Sequence, residues 1–482
     1  MTQSSTPSRA SVGLRSERGP VLGSLMLGTA LIALDATILA TAVPSVVNTL
    51  GGFSQFPWLF SIYVLAQAVS VPIYGKLSDQ IGRKPIMMFG IGLFVVGSIL
   101  CGLATSMPML IIFRAVQGLG AGAIGPMAMT IIGDIYTVAE RAKVQGYTAS
   151  VWGISSVVGP TLGGVFTDFV SWRAIFLINI PVGILAGWML YRHFHESVKI
   201  TKHKIDFAGA GALTVGASLI ILGLLEGGVL WSWLSLPSVL IFVVGAAVLV
   251  AFLIIERRAA EPVLPSWAFS RRIFDGVYIT AMAVGVLTLG LSSYVPIFVQ
   301  DVLGSSALIA GFALAGQSIG WPLAASQSGR IYLRIGFRNT ALIGGAFALV
   351  GSLSLLLLGP GSTPLQVGIS CAVVGLGLGL TTSPTLVAAQ SVVGWEQRGV
   401  ITATNMFARS MGSALGTAVF GAIANATIGR SGATTGHGAT ASGVPRPVLN
   451  EAIGNVFVAS VVVSAIMIAA ILVIPRKINT TD

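Results

Sequence analysis

Leu34-Asp35-Ala36-Thr37-Ile38-Leu39-Ala40-Thr41-Ala42-Val43-Pro44 puts one carboxylate inside an otherwise apolar stretch. The surrounding run, Val21 to Val43, is about the length a helix needs to cross a hydrocarbon core at ~1.5 Å per residue. By the same rise, Asp35 sits roughly 12 Å below the surface that the helix reaches near Val43. A charge at such depth costs from about 3 to more than ten kcal/mol, so an acid there is protonated, paired or turned to a wet cavity. Asp35 is therefore a functional candidate. The bland alternative is an acid held neutral by a hydrogen bond at a helix contact.

The same reading extends to the whole chain. Of its 482 residues 54% are hydrophobic and 9% are charged, against about 25% charged in a soluble domain; mean hydropathy is +0.89. The net charge of +11 does not point to nucleic acid, because the basic residues are scattered through short loops and form no face with interleaved aromatics. Met1 to Pro20, with Arg9, Arg15 and Arg18, precedes a run too long for a signal-peptide core and reads as a cytoplasmic tail. Cys101 and Cys371 fall inside apolar runs and carry no redox or metal information. His193, His195 and His203 match no metal-ligand spacing, so no metal site is expected. No phosphate-binding loop is present, which excludes a nucleotide motor within the chain.

Apolar runs of spanning length number about fourteen, the last centred near residue 463. With the amino end inside, nearly all lysines and arginines fall on the cytoplasmic side, while only Arg173, Arg430 and Arg446 fall outside. That is the asymmetry of the positive-inside rule, and it would collapse if one early helix were miscounted. Loops are short except Arg192 to Asp206, Glu256 to Asp275 and the Gly/Ala/Ser/Thr-rich Asn425 to Glu451, which reads as a flexible outer loop. Trp58, Trp231 and Trp233 sit near predicted outer boundaries. Gly75-Lys76-Leu77-Ser78-Asp79-Gln80-Ile81-Gly82-Arg83-Lys84 after the second helix and Gly329-Arg330-Ile331-Tyr332-Leu333-Arg334-Ile335-Gly336-Phe337-Arg338 after the tenth share glycine spacing and flanking cations. A repeat of this kind divides the chain into a tail (1–20), a six-helix bundle (21–192), a linker with two inserted helices (193–272) and a second six-helix bundle (273–482).

These residues resemble the major facilitator superfamily, and within it the fourteen-helix branch of drug/proton antiporters. Gly75 to Lys84 is similar to the signature between the second and third helices, and Arg114-Ala115-Val116-Gln117-Gly118-Leu119-Gly120 to that of the fourth helix in proton-coupled members. Gly146, Ser155, Gly159, Pro160, Gly163 and Gly164 follow the spacing of the fifth-helix antiporter signature, with Ser155 where a glycine is preferred. Leu34 to Thr37 with Ala42 and Pro44, and Trp172 to Gly183, resemble motifs of the fourteen-helix branch. Ala40 departs from it, standing where the branch has Asn. The resemblance implies an all-α membrane fold with both termini cytoplasmic and a central cavity between two bundles.

Arg114 lies roughly 11 Å inside the fourth helix, near the level of Asp35. Burial favours the neutral acid and a guanidinium neighbour the ionised one, which suits Asp35 to proton exchange, with a static ion pair as the plain alternative. Gly159, Pro160, Gly163 and Gly164 permit close helix packing that seals against a proton leak. Gly75, Asp79, Gly82 and Arg83 form a tight turn that the resemblance makes a cytoplasmic latch between the bundles; Leu333 in place of Asp79 implies no equal latch in the second bundle. Arg409, in the thirteenth helix, has no acid near it in sequence and is expected either to hold an anionic substrate group or to bind backbone carbonyls. Thr37, Tyr63, Gln67, Gln117, Gln317 and Trp321 complete the cavity candidates.

The chain is thus expected to export lipophilic compounds, cationic ones among them, from the bacterial cytoplasmic membrane in exchange for protons. The proton gradient is the energy source and no cofactor is required. The lipid bilayer, protons and a small lipophilic substrate are its partners, and nothing in the sequence specifies a periplasmic one. Export of an endogenous lipid, siderophore or antibiotic uses the same fold. A transport-inactive receptor or assembly partner has no use for an expensive intramembrane charge pair, and no cluster of His, Cys and carboxylates supports an enzyme.

Overall fold

In a computed structural model, residues 13–136, 138–196, 206–259, 266–431 and 444–476 are described. The tail up to residue 12, His203 and the stretch 432–443 lie outside them, as do the side-chain surroundings of Lys76, Asp79 and Gly146. The described chain forms α1 (Gly19–Leu50), α2 (Pro57–Ile81), α3 (Arg83–Gly102), α4 (Met107–Ile135), α5 (Val138–Phe169) and α6 (Ala174–His193, broken at Ile178). Then come α7 (Phe207–Glu226), α8 (Leu236–Arg258), α9 (Arg272–Ile297, continued by a π turn to Val302) and α10 (Ala307–Ile335). α11 (Phe337–Leu356), α12 (Pro364–Gln390), α13 (Trp395–Arg430) and α14 (Arg446–Val473) complete the chain.

Thirteen of these helices are long and apolar enough to span a bilayer. The exception, α5, carries Glu140 in its first turn and runs over 32 residues, about 48 Å at the helical rise. It lies against α1 and α10, so protein covers part of the surface that lipid would otherwise require to be apolar. Prolines 44, 126, 160, 296, 322 and 384 stand inside helices, which neighbouring helices make tolerable in a membrane. Helix α13 continues to Arg430 and α14 begins at Arg446, so the outer loop is shorter than the stretch from Asn425 to Glu451. Asn425 is buried, and its amide donates to the Ser54 carbonyl at 3.1 Å.

Glycines bring the helices together twice in the same way. Gly118 and Gly122 of α4 leave no room for a Cβ against the backbone of Tyr63 and Gln67 on α2; Gly375 and Gly379 of α12 do the same against Gln317 and Trp321 on α10. Gly97 on α3 meets Gln117, and Gly351 on α11 meets Val374. Gly159 and Gly163 of α5 seat on Thr37 and Thr41 of α1, as Gly412 and Gly416 of α13 seat on Met282 and Val286 of α9. The turns after α2 and α10 each close on a glycine with positive φ, Gly82 at 102° and Gly336 at 85°, a conformation that costs other residues far more. In this register Arg114 corresponds to Cys371, Gln117 to Val374, Tyr63 to Gln317 and Asp35 to Thr280.

The two sets of helices meet on the face away from the start of α1. Pro160 and Gly164 of α5 pack on Gly311 and Leu308 of α10, and the Leu308 amide donates to Asp168 at 3.4 Å. The Ser61 hydroxyl on α2 donates to the Ala414 carbonyl on α13 at 2.9 Å, and Pro57 abuts Gly421. Gln300 donates to the Thr41 carbonyl at 3.2 Å, and the rings of Phe56 and Tyr294 lie edge to face at 5.2 Å. α7 covers the α2–α13 seam with Ala217, Ile221 and Leu225. At its end the Trp58 indole donates to the Glu226 carboxylate at 3.1 Å, so Trp58 is a buried seam residue and not an interfacial anchor.

Candidate functional site

Arg114 and Gln117 stand three residues apart on α4 and so share a face. The close seats of Gly118 on α2 and Gly97 on α3 press both neighbours onto that face, and Asp35 on α1 closes it. The Arg114 Nη1 donates to Asp35 Oδ2 at 2.6 Å and to Gln117 Oε1 at 2.5 Å, while its Nε donates to the Leu59 carbonyl at 3.1 Å. The Gln117 amide nitrogen donates to Asp35 Oδ1 and to Ser98 Oγ, each at 2.8 Å, and Asn179 donates to the same hydroxyl at 3.3 Å. The Tyr63 ring lies over the guanidinium at 4.0 Å. Asp35 and Arg114 are each 1% exposed, so the pair is sealed inside the bundle and does not line a cavity.

This arrangement satisfies a buried ion pair with short charge-assisted bonds, as burial demands. Both carboxylate oxygens are occupied by N–H donors, so a proton arriving at Asp35 must displace one of them. The second set of helices has no counterpart, since Cys371, Val374 and Thr280 occupy the equivalent positions. Gln317, in the place of Tyr63, is 3% exposed and neither of its amide atoms has a partner. Both observations follow from one substitution: without a guanidinium beneath it, Gln317 faces an apolar interior.

The other cavity candidates divide. Tyr63 and Gln117 belong to the sealed network. The Thr37 hydroxyl is occupied at the α1–α5 seam, its one proton within reach of the Ala33, Leu34 and Ser155 carbonyls at 2.9, 3.2 and 3.0 Å. Gln67 is partly buried with its carbonyl under Gly122, and Trp321 is partly buried and packs on the core. Arg409 is also partly buried, and among the described residues it makes no hydrogen bond or ion pair. The carbonyl-bound alternative for Arg409 is thus not realised. Ser98 and Asn179 join the site without being among the sequence candidates; Asn179 stands in the Trp172 to Gly183 stretch that resembles a branch motif, an amide in an otherwise apolar run.

Arg83 stands at the face where α1 begins. Its guanidinium pairs with Asp134 at 3.2 Å and Glu196 at 3.8 Å. The Glu196 carboxylate accepts from the backbone amides of Arg83 and Lys84 at 2.8 and 3.0 Å, satisfying orphan donors at the start of α3. Arg18 pairs with Glu140 at 3.2 Å and lies over the Tyr136 ring at 4.9 Å. Burial pushes the Tyr136 phenol up, with the Arg18 guanidinium opposing it. Gly75 has open space around it.

The profile described as Major Facilitator Superfamily matches residues 25–417. Among curated proteins, Multidrug resistance protein 3 of Bacillus subtilis (strain 168) is 40% identical over 403 residues, covering 84% of this chain and 78% of that protein. Multidrug transporter protein MdtP of the same organism is 34% identical over 417 residues, covering 86% and 77%. Among solved structures, a bacterial homologue of the human lysosomal transporter Spinster, in an inward-facing and unoccupied conformation, superposes with a TM-score of 0.70 at 18% identity, covering 95% of this chain and 98% of that one.

Proposed function

The chain belongs to the major facilitator superfamily, and from that premise we propose that this multi-pass membrane transporter is an antiporter that exports lipophilic compounds in exchange for protons. The observation that carries the proton step is the Asp35–Arg114 pair, 1% exposed at both ends and the charged pair within α1 and α4. Among the described residues, protonation of Asp35 removes the only carboxylate paired with Arg114. The guanidinium is then an uncompensated ion in a low dielectric, and the helices that hold it gain free energy by moving until it meets water or another anion. Proton binding is in this way coupled to a change in packing among α1, α2 and α4, and α1 and α2 carry the inter-bundle contacts at Thr41, Pro57 and Ser61.

Export by alternating access needs those contacts to break and re-form. Closure at Pro160–Gly311, Gly164–Leu308 and Ser61–Ala414 corresponds to a state open toward the face that carries Arg18, Arg83 and Lys84. By the positive-inside rule that face is cytoplasmic, in a bacterial inner membrane. The names of the two Bacillus relatives support drug export as the cargo class. The test is transport of a fluorescent lipophilic dye by proteoliposomes under an imposed pH gradient, comparing the intact chain with Asp35→Asn. Gradient-driven transport that the variant loses is the expected result, and equal coupling in the variant refutes the role given to Asp35.

A further inference from the structure

The mechanism above leaves one intramembrane charge unused. Arg409 lies several turns from either end of α13, and among the described residues it has neither hydrogen bond nor ion pair. Helical spacing says where it points. Gly412 and Gly416 mark the side of α13 that seats on α9, while Met411, Ala414 and Ala418 mark the side packed on α2 and α7. Between those two sides runs a face with Met406, Arg409 and Ser410, all at least partly exposed, Met406 at 48%. Neither neighbour covers that face, which lies about one turn from the point where Ser61 meets Ala414; a guanidinium turned to lipid at this depth is too costly, which leaves the substrate path between the bundles.

The charge balance of this space is uneven. Asp35 and Arg114 cancel each other inside their own bundle. The second bundle has Thr280 and Cys371 in their places, so no carboxylate in the repeated register answers Arg409. A packing role does not require a guanidinium at this position: the contact with α9 is made by the Arg409 backbone, whose carbonyl lies against Gly285. An unpaired guanidinium at membrane depth is costly, and one on a cavity face marks a ligand of opposite sign. Its planar set of donors matches a carboxylate in a two-point bond.

We propose that Arg409 is the docking point for a carboxylate on the exported molecule, so that the preferred substrates are lipophilic acids and zwitterions and not lipophilic cations. This rests on the export reading and narrows its substrate class. A bound carboxylate neutralises Arg409 where water is scarce, whereas a cation in the same space is repelled by it.

Two dyes differing in one group test the assignment: rhodamine B, which carries a carboxylate, and its ethyl ester, a cation. The full chain in proteoliposomes under an imposed pH gradient is compared with Arg409→Lys and Arg409→Gln. The acid is expected to be carried in preference to the ester. Arg409→Gln is expected to raise the KM for the acid about tenfold to a hundredfold, the weight of a charge-assisted bond, and to leave the ester unchanged or improved. Arg409→Lys retains most transport of the acid. A monodisperse size-exclusion peak and an unchanged thermal unfolding midpoint in detergent establish that each variant is folded, and fluorescence anisotropy of each dye then reads its binding separately from transport. Equal loss of both dyes in a folded Arg409→Gln overturns the assignment, as does wild-type transport of the ester but not the acid, which leaves export intact. Transport of neither dye overturns the export reading and this inference together.

Discussion

Replacing Asp35 by Asn separates the cost of breaking the pair from the loss of a titratable group. In the intact chain the carboxylate accepts from Arg114 at 2.6 Å and from Gln117 at 2.8 Å. Asn keeps one acceptor oxygen but turns an NH2 group toward a second donor, so one of those two bonds is lost. Arg114 stays 1% exposed, with only the Leu59 carbonyl and Gln117 Oε1 as certain partners. Removing one member of a buried ion pair costs about 3–5 kcal/mol; the retained acceptor argues for the lower end. Reversible unfolding in mixed micelles measures it. The double variant Asp35→Asn with Arg114→Met removes the orphaned charge too and is expected to recover at least half of that loss, while gradient-driven transport stays absent. If Asp35→Asn costs under about 1 kcal/mol, or if the double variant is no more stable than the single one, the two side chains are not a mutually dependent buried pair, and the coupling argument fails with them.

Gly164→Ala places a methyl carbon 2.5 Å from the Cα of Leu308, too close for backbone to yield, so α5 and α10 separate on the closed face. Labelling of a single cysteine introduced near the seam is expected to rise there, whereas Gly454→Ala, with nothing within 4 Å, leaves both labelling and stability unchanged. Glu226→Ala strips the acceptor from the buried Trp58 indole and is expected to cost about 1–3 kcal/mol, the penalty of an unmade buried hydrogen bond; combined with Trp58→Phe the cost falls below the sum, in a double-mutant cycle on the same unfolding assay. Glu196→Ala removes the carboxylate that caps α3 through the Arg83 and Lys84 amides and is expected to lose about 1 kcal/mol, in line with other lost helix caps, while leaving the dye KM unchanged.

Much of this protein is legible without coordinates because insertion in a bilayer is a property of each segment taken alone. A helix must satisfy its own backbone and carry enough apolar surface over a set length, so the spans, their count and the exceptional position of Asp35 can be read from composition along the chain. The turn glycines Gly82 and Gly336 are legible for the same reason: a positive φ is a local demand. Contacts between helices are a different matter. Lipid-facing and interior-facing side chains are both apolar here, so periodicity does not reveal how each helix is rotated, and Thr37, Tyr63 and Gln117 read alike as cavity residues. Only the tertiary structure separates them, spending Thr37 on the α1–α5 seam, drawing Tyr63, Gln117, Ser98 and Asn179 around the ion pair, and turning Arg83 back to Asp134 and Glu196. Among the described residues it also leaves Arg409 without a hydrogen bond or ion pair, because the seats of Gly412 and Gly416 on α9 fix the rotation of α13.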